Sequence, residues 1–329
     1  MKPFAYVDAA NEKEAIAALG SERGRFLPLA GGMDLLALMK DYVAQPDRLV
    51  NVKNLDRTMT RTPDGGLRVG AAVTLDELAT HAEAGRLYPA LIHAVREVGT
   101  PQIRHAGTVG GNLNQRPRCW YFRNEEFECL KKGGSRCFAV DGENQYHAIF
   151  GNGPCHIVHP SSLATPAVAL GARFRIVGPA GEREVAAEQY FVLPDRNLFG
   201  ETVLESNELL THMILPPPGN TKAATYEVRY KQSHDWPLAT ASVALDMNGT
   251  TVRSSRIVLG AVAPIPWRSA SAERALAGKT LSEEAAMAAA DAAMQGAKPM
   301  TQNAYKLTIA RTAVKRAIMN AAGLKGNWA

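Results

Sequence analysis

The chain has 329 residues, with 37 Lys and Arg against 32 Asp and Glu, a net charge of +5. That length leaves room for two or three domains and a sizeable core. The positive charge is spread along the sequence with no basic stripe of interleaved aromatics, which argues against a nucleic-acid partner. No run nears the roughly 18 apolar residues of a membrane span, so no membrane insertion is expected.

The start, Met1-Lys2-Pro3-Phe4-Ala5-Tyr6, has no apolar signal core. It predicts a cytoplasmic protein, or one exported as the passenger of a partner. Residues 1–55 alternate helix and strand signals and predict a β-α-β-α-β beginning. Asn11 to Leu19 reads as a helix, with Asn11 as cap and Glu14 three residues on. Arg25 to Ala30 reads as a strand running into Gly31-Gly32-Met33-Asp34, then a helix over Leu35 to Lys40 and a strand over Arg48 to Val52.

Thr62 to Gly66 is a turn before the strand Leu67 to Gly70, and Thr74 with Glu77 is spaced as a capping box. Leu91 to Val98 predicts a helix. A second glycine loop follows, Ala106-Gly107-Thr108-Val109-Gly110-Gly111-Asn112-Leu113.

All four cysteines fall in the next stretch: Cys119, Cys129, Cys137 and Cys155, spaced C-x9-C-x7-C-x17-C. A disulfide pair needs an oxidising compartment, which nothing at the start suggests. Structural zinc usually uses a close Cys pair, absent here. A 4Fe–4S cluster on a loose glycine-rich loop, or four ordinary buried thiols, also fits. Arg116, Arg118, Arg123, Lys131, Lys132 and Arg136 lie between and beside the cysteines. They would stabilise a net-negative cluster, or form a solvated face.

Beyond the cysteines, Leu163 to Leu170 predicts a small helix, and Arg173 to Val177 a strand turning at Gly178-Pro179-Ala180-Gly181. A strand over Glu208 to Leu215 ends at Pro216-Pro217-Pro218-Gly219, a domain boundary. Strands near residues 223–230, 239–247 and 252–260 precede two helices. One runs from about Leu281 to Gln295, with Thr280 and Glu283 spaced as a capping box. The other runs from about Asn303 to Ala322, with Leu307, Ala310, Val314 and Ile318 on one face and a stop at Gly323. This end predicts an antiparallel sheet with packed helices.

Neither glycine loop is G-x-G-x-x-G or a Walker loop. The first is a strand-to-helix turn whose N–H groups suit an anion, or is simple turn chemistry. The pair of loops, with Tyr230-Lys231-Gln232-Ser233-His234-Asp235-Trp236-Pro237-Leu238-Ala239 and Gly260-Ala261-Val262-Ala263-Pro264-Ile265-Pro266-Trp267-Arg268, resembles the flavoprotein subunit of the molybdenum hydroxylases, the xanthine dehydrogenase family. Gln115 to Phe122, the remaining cysteines and His159-Pro160-Ser161-Ser162-Leu163 resemble the subgroup carrying an extra 4Fe–4S cluster, of the aldehyde oxidoreductase or 4-hydroxybenzoyl-CoA reductase type. The aldehyde oxidoreductase type is the closer.

The resemblance implies an α+β fold: a two-subdomain, PCMH-type FAD-binding domain over 1–218, then a small C-terminal domain over 222–329. The subdomains would be about 1–55 and 56–218, with an iron–sulfur loop at 115–158. FAD would lie against Leu29, Ala30, Gly31, Gly32, Met33, Asp34 and Leu35, and against Ala106, Gly107, Thr108, Gly110, Gly111 and Asn112. Ser162 stands where the family often has Asp and would bind the adenosine part more weakly, as a neutral group. Lys231 and Asp235 would lie near the flavin end or on the surface. Cys119, Cys129, Cys137 and Cys155 would hold the cluster, with His156 and His159 as hydrogen-bonding neighbours.

The implied function is electron transfer from a small 2Fe–2S subunit to an external acceptor, beside a large molybdenum-cofactor subunit, in a heterotrimer or its dimer. No catalytic side chain is demanded of the chain itself. The competing expectations are a stand-alone FAD oxidoreductase and a zinc-stabilised interaction protein.

Overall fold

The N-terminal alternation resolves into three short strands. The computed structural model describes residues 1–232 and 234–324. Strands β1 (Ala5–Asp8), β2 (Phe26–Leu29) and β3 (Arg48–Asn51) form a parallel sheet in the order β1-β3-β2. The crossover helix Glu12–Ala18 starts as the sequence predicts. Asn11 Oδ1 accepts from the Glu14 N–H at 2.9 Å, and the Glu14 carboxylate accepts from the Ala10 N–H at 3.0 Å.

A second sheet is antiparallel and runs β4-β5-β8-β6-β7. Its strands are β4 (Met59–Arg61), β5 (Leu67–Gly70), β6 (Arg173–Gly178), β7 (Gly181–Ala186) and β8 (Leu209–Leu215). Leu67, Val69, Phe174 and Met213 point from it into the main core, where Leu78, Tyr88, Leu91 and Val168 meet them from the helices. The predicted capping box forms: Thr74 Oγ1 accepts from the Glu77 N–H, and Glu77 Oε2 accepts from the Thr74 N–H.

The third sheet holds β9 (Thr221–Val228), β10 (Ala239–Asn248), β11 (Thr251–Gly260) and β12 (Trp267–Arg268), in the order β12-β11-β10-β9. Its two faces differ. Ala239, Ala241, Val243 and Leu245 pack on the alanine-rich helices Glu283–Ala293 and Tyr305–Ala322. Thr240, Ser242 and Thr225 lie on the opposite face, with Thr225 Oγ1 and Ser242 Oγ bonded at 2.8 Å. Period two in β10 thus separates an apolar face from a polar one.

Three details differ from the sequence reading. Helix Glu283–Ala293 is capped by Ser282, whose hydroxyl accepts from the Ala285 N–H, and not by Thr280. The stretch around the second glycine loop is mostly helical, as Pro101–Ala106 and Val109–Leu113. Glycine hid the short helix there because its propensity opposes one. Finally, the cysteine segment is not loose. Ile149 N–H and Phe150 N–H donate to the Val262 carbonyl, His159 N–H to Ala263, and Asn303 Nδ2 to His147. Ser233 and residues 325–329 lie outside the described residues. Among those described, no helix is long and apolar enough to cross a membrane.

Candidate functional site

The first glycine loop leaves its backbone donors bare. Leu29 closes β2 by accepting from the Val52 N–H at 3.0 Å, and helix Leu35–Lys40 begins six residues later. Among the described residues, none of the N–H groups of Ala30, Gly31, Gly32, Met33 or Asp34 has an acceptor within the protein. Successive free N–H groups of this kind suit an anion. Gly32 sits at φ 71°, the left-handed turn that aims them.

Asp34 is the acid in this loop, and its charge is answered. Its carboxylate accepts from the Arg116 N–H at 2.7 Å and pairs with Arg118 at 2.7 Å and Arg123 at 2.5 Å. It therefore does not oppose an anion at the N–H groups beside it. This also places the basic residues of the cysteine segment. Arg118 and Arg123 serve Asp34, while Arg116 and the buried Lys131 pair with Glu201 at 2.8 and 2.7 Å.

The two glycine loops touch. A Cβ added to Gly31 would lie 1.9 Å from the Ala106 carbonyl oxygen, and one on Gly111 would lie 3.9 Å from Ala30 Cβ. The second loop spends its donors internally: Val109 N–H on Val73, Gly110 N–H on Ala71, Gly111 N–H on Thr108 Oγ1 and Asn112 N–H on Thr108. The Gly107 N–H likewise goes to Ile103. Its contribution is close approach, and a tie through Asn112, whose Oδ1 accepts from the Ser161 hydroxyl at 2.6 Å.

Ser161 and Ser162 lead into a cavity of about 460 Å³ between the two ends of the chain. Ligand sites typically run ~300–1,000 Å³. Arg118, Arg123, Trp120 and Tyr146 line one side of it, and Tyr230, Asp235, Trp236 and Thr240 the other. Arg118 lies over the Trp236 ring at 4.6 Å, and Trp120 meets Tyr146 edge-on at 5.5 Å. Lys231 is exposed on the loop that carries Tyr230 and Asp235; its N–H donates to Asp235 Oδ2 at 3.3 Å, and it does not line the cavity.

Two buried charges escape sequence reasoning: Lys306 in the lining of this cavity, and Glu227 behind the lining residue Ser162. Lys306 is 1% exposed, and its Nζ donates to the carbonyls of Ala261 (2.7 Å) and Tyr146 (2.9 Å). Burial pushes it down to about 7. The available signal was its register, since Lys306 stands four residues before Ala310 on the buried stripe. Glu227 lies opposite Thr240 in the sheet, beside Ser162. Its side chain is 2% exposed, neither oxygen has a hydrogen-bond partner, and Arg229 is 4.0 Å away. Burial pushes it up to about 7. An orphaned buried carboxyl beside a cavity of this size fits a hydroxyl-bearing ligand.

The four cysteines line one small cavity, with Phe122, Lys131, Phe138, His147 and Ile157. Cys129 and Cys155 are buried, while Cys119 and Cys137 are partly so, and all four are free. The neighbouring Cys137 and Cys155 thiols act on each other, which favours the Cys137 thiolate, pushed down to about 5, and raises Cys155. Burial pushes Cys119 up to about 11. Among the described residues, no three His, Cys, Asp or Glu side chains are arranged to hold a single metal ion. His159 is buried beside Phe191 and lines the larger cavity, and burial pushes it down to about 4.

Comparison with known proteins agrees with this architecture. Residues 2–218 match the family described as the FAD binding domain in molybdopterin dehydrogenase, and residues 224–321 the CO dehydrogenase flavoprotein C-terminal domain. The chain is 33% identical to the aldehyde oxidoreductase FAD-binding subunit PaoB of Escherichia coli strain K12, across 94% of this chain and 96% of that one. It is 30% identical to the carbon monoxide dehydrogenase medium chain of Hydrogenophaga pseudoflava, across 96% of each. Among solved structures, the carbon monoxide dehydrogenase of Hydrogenophaga pseudoflava lacking the Mo-pyranopterin moiety of its molybdenum cofactor superposes with a TM-score of 0.76. That match has 29% identity and covers 98% of each chain. The chain therefore belongs to the FAD-binding medium subunits of the molybdenum hydroxylases, a family of oxidoreductase flavoproteins.

Proposed function

We propose that this chain is the FAD-binding electron-transfer subunit of an aldehyde oxidoreductase-type complex and carries a 4Fe–4S cluster on Cys119, Cys129, Cys137 and Cys155. It would take electrons from the 2Fe–2S clusters of a small subunit, beside a large molybdenum-cofactor subunit, and deliver them to an external acceptor. We place the complex in the cytoplasm, or in the periplasm if a partner carries it there. FAD-binding residues would span 1–218, and 222–329 would form the C-terminal domain. The observation that carries the reading is the meeting of all four cysteines at one small cavity, next to the larger one, whose lining residues Arg118, Arg123 and Ser161 bond to the glycine loops. A cluster spreads its thiolates over several irons, so it asks for convergence on a shared cavity where a single ion asks for one point.

Bound FAD supplies one- and two-electron chemistry, and the cluster one-electron chemistry. The chain's own residues supply the sites. The free N–H groups of Ala30 to Asp34 would hold the pyrophosphate. Arg118 and Arg123 neutralise Asp34 and so keep that loop receptive. Gly31 and Gly111 let the loops close on each other. Ser162, with Glu227 behind it, would receive the adenosine hydroxyls. Lys306 holds the carbonyl of Ala261, which stands at φ 59°, in the cavity wall.

The test is an absorption spectrum of anaerobically purified protein with iron, sulfide, zinc and flavin counts. The proposal expects about four irons per FAD, as that cluster type requires. Flavin without iron would return the cysteines to buried thiols, and zinc without flavin would overturn the whole reading.

A further inference from the structure

The two cavities share one wall. Cys119, His147 and Ile157 line both of them. His147 is held there firmly. Its side chain is buried, Asn303 Nδ2 donates to its carbonyl at 3.0 Å, and the Trp120 ring meets it edge-on at 5.8 Å. Its Nε2 lies 3.3 Å from Cys119 Sγ. Its Nδ1 is buried without a partner.

A cluster-bound sulfur is a thiolate and can only accept. Facing it, the imidazole has one role at Nε2, as donor. The neutral ring carries a single N–H, so this would fix the tautomer and leave Nδ1, which is buried without a partner, unprotonated. The other sulfurs are served differently. Backbone N–H groups of Ala139 and His156 lie near Cys137, that of Ile157 near Cys155, and those of Tyr121 and Phe122 near Cys119. Among the described residues, Cys119 is the one sulfur with a side-chain donor from outside the cysteine set.

We propose that His147 is a positioning residue for the cluster. Its Nε2–H donates to Cys119 Sγ, fixes that ligand in the wall shared with the flavin cavity, and raises the cluster's reduction potential. The inference rests on the four-cysteine cluster reading above. Its physical basis is that the reduced cluster is the more negative state, so a hydrogen bond to a ligand sulfur stabilises it more than the oxidised state.

The test is an EPR-monitored redox titration, with iron counts, of the full chain purified anaerobically as wild type, His147→Phe and His147→Gln. Phe keeps an aromatic ring without a donor, whereas Gln keeps a donor. The expected result is full iron in all three, a potential shifted lower in His147→Phe, and one near wild type in His147→Gln. If Phe loses iron while Gln keeps it at the wild-type potential, the donor is required and the proposal stands. A wild-type potential in fully loaded His147→Phe would overturn it. So would equal iron loss in both variants, which is the signature of packing alone. Wild type without iron would instead overturn the cluster reading itself, and this proposal with it.

Discussion

At the scale of single residues, the informative side chains are those whose burial conflicts with their charge. Glu227 is held up to about 7 by burial, with Arg229 only partly opposing. Unfolded, it titrates near 4.5. Between those values the folded chain binds the extra proton, so the contribution to stability is whole below about 4.5 and is lost as pH rises toward about 7. Glu227→Gln removes that dependence. Melting midpoints measured across this range should show wild type losing ground to the variant as pH rises, by roughly 1–3 kcal/mol. Parallel curves would show that Glu227 does not titrate there.

Gly31 gives a second test at this scale. Its added methyl meets backbone, the Ala106 carbonyl, which cannot move without displacing the second loop. Gly31→Ala should lower FAD content at least about tenfold, since it distorts the loops proposed to hold the cofactor. Gly85 is the control: it lies in helix Ala82–Leu87 with nothing within 4 Å of an added Cβ. Gly85→Ala should keep full FAD and gain up to about 1 kcal/mol of stability. Equal flavin content in both variants would remove the loop contact from the account.

At the scale of elements, the sequence spoke through period and caps. The Asn11 cap, the Thr74–Glu77 capping box and the Gly323 stop all stand where their side-chain chemistry predicts. What escaped was tertiary. The helix Val109–Leu113 forms against glycine's preference because Thr108 caps it and Val73 and Ala71 take its first N–H groups. The glycine loops and the four cysteines were visible as composition. That the cysteines share a cavity adjoining a larger one was not, since it depends on contacts between segments more than a hundred residues apart, such as Asn303 with His147. Glu227 was hidden for the same reason, because no local signal says that its charge faces inward, whereas Lys306 had only its register with Ala310 to show it.

The cysteine segment is the element to perturb. Cys129 packs with Leu38 and Phe122 as well as facing the shared cavity. Cys129→Ser should strip most of the iron and lower the melting midpoint by several degrees, while FAD stays bound through the separate glycine loops. Iron and flavin counts on the purified variant check this. Full iron retention would exclude Cys129 as a required ligand.

At the scale of the whole molecule, the C-terminal sheet presents a polar face toward the first part of the chain and an apolar face to its own helices. The cavity between the two ends is lined by residues from both, so a flavin bound there as proposed would depend on their docking. On the proposed function, turnover by this subunit should need its partners.

The most direct measurement is the flavin absorbance on anaerobic addition of an aldehyde, made on the flavin-loaded chain alone and on the same chain assembled with its molybdenum and 2Fe–2S subunits. The account predicts bleaching only in the assembled complex. Bleaching by the isolated chain at a comparable rate would contradict it and make the protein a stand-alone FAD oxidoreductase.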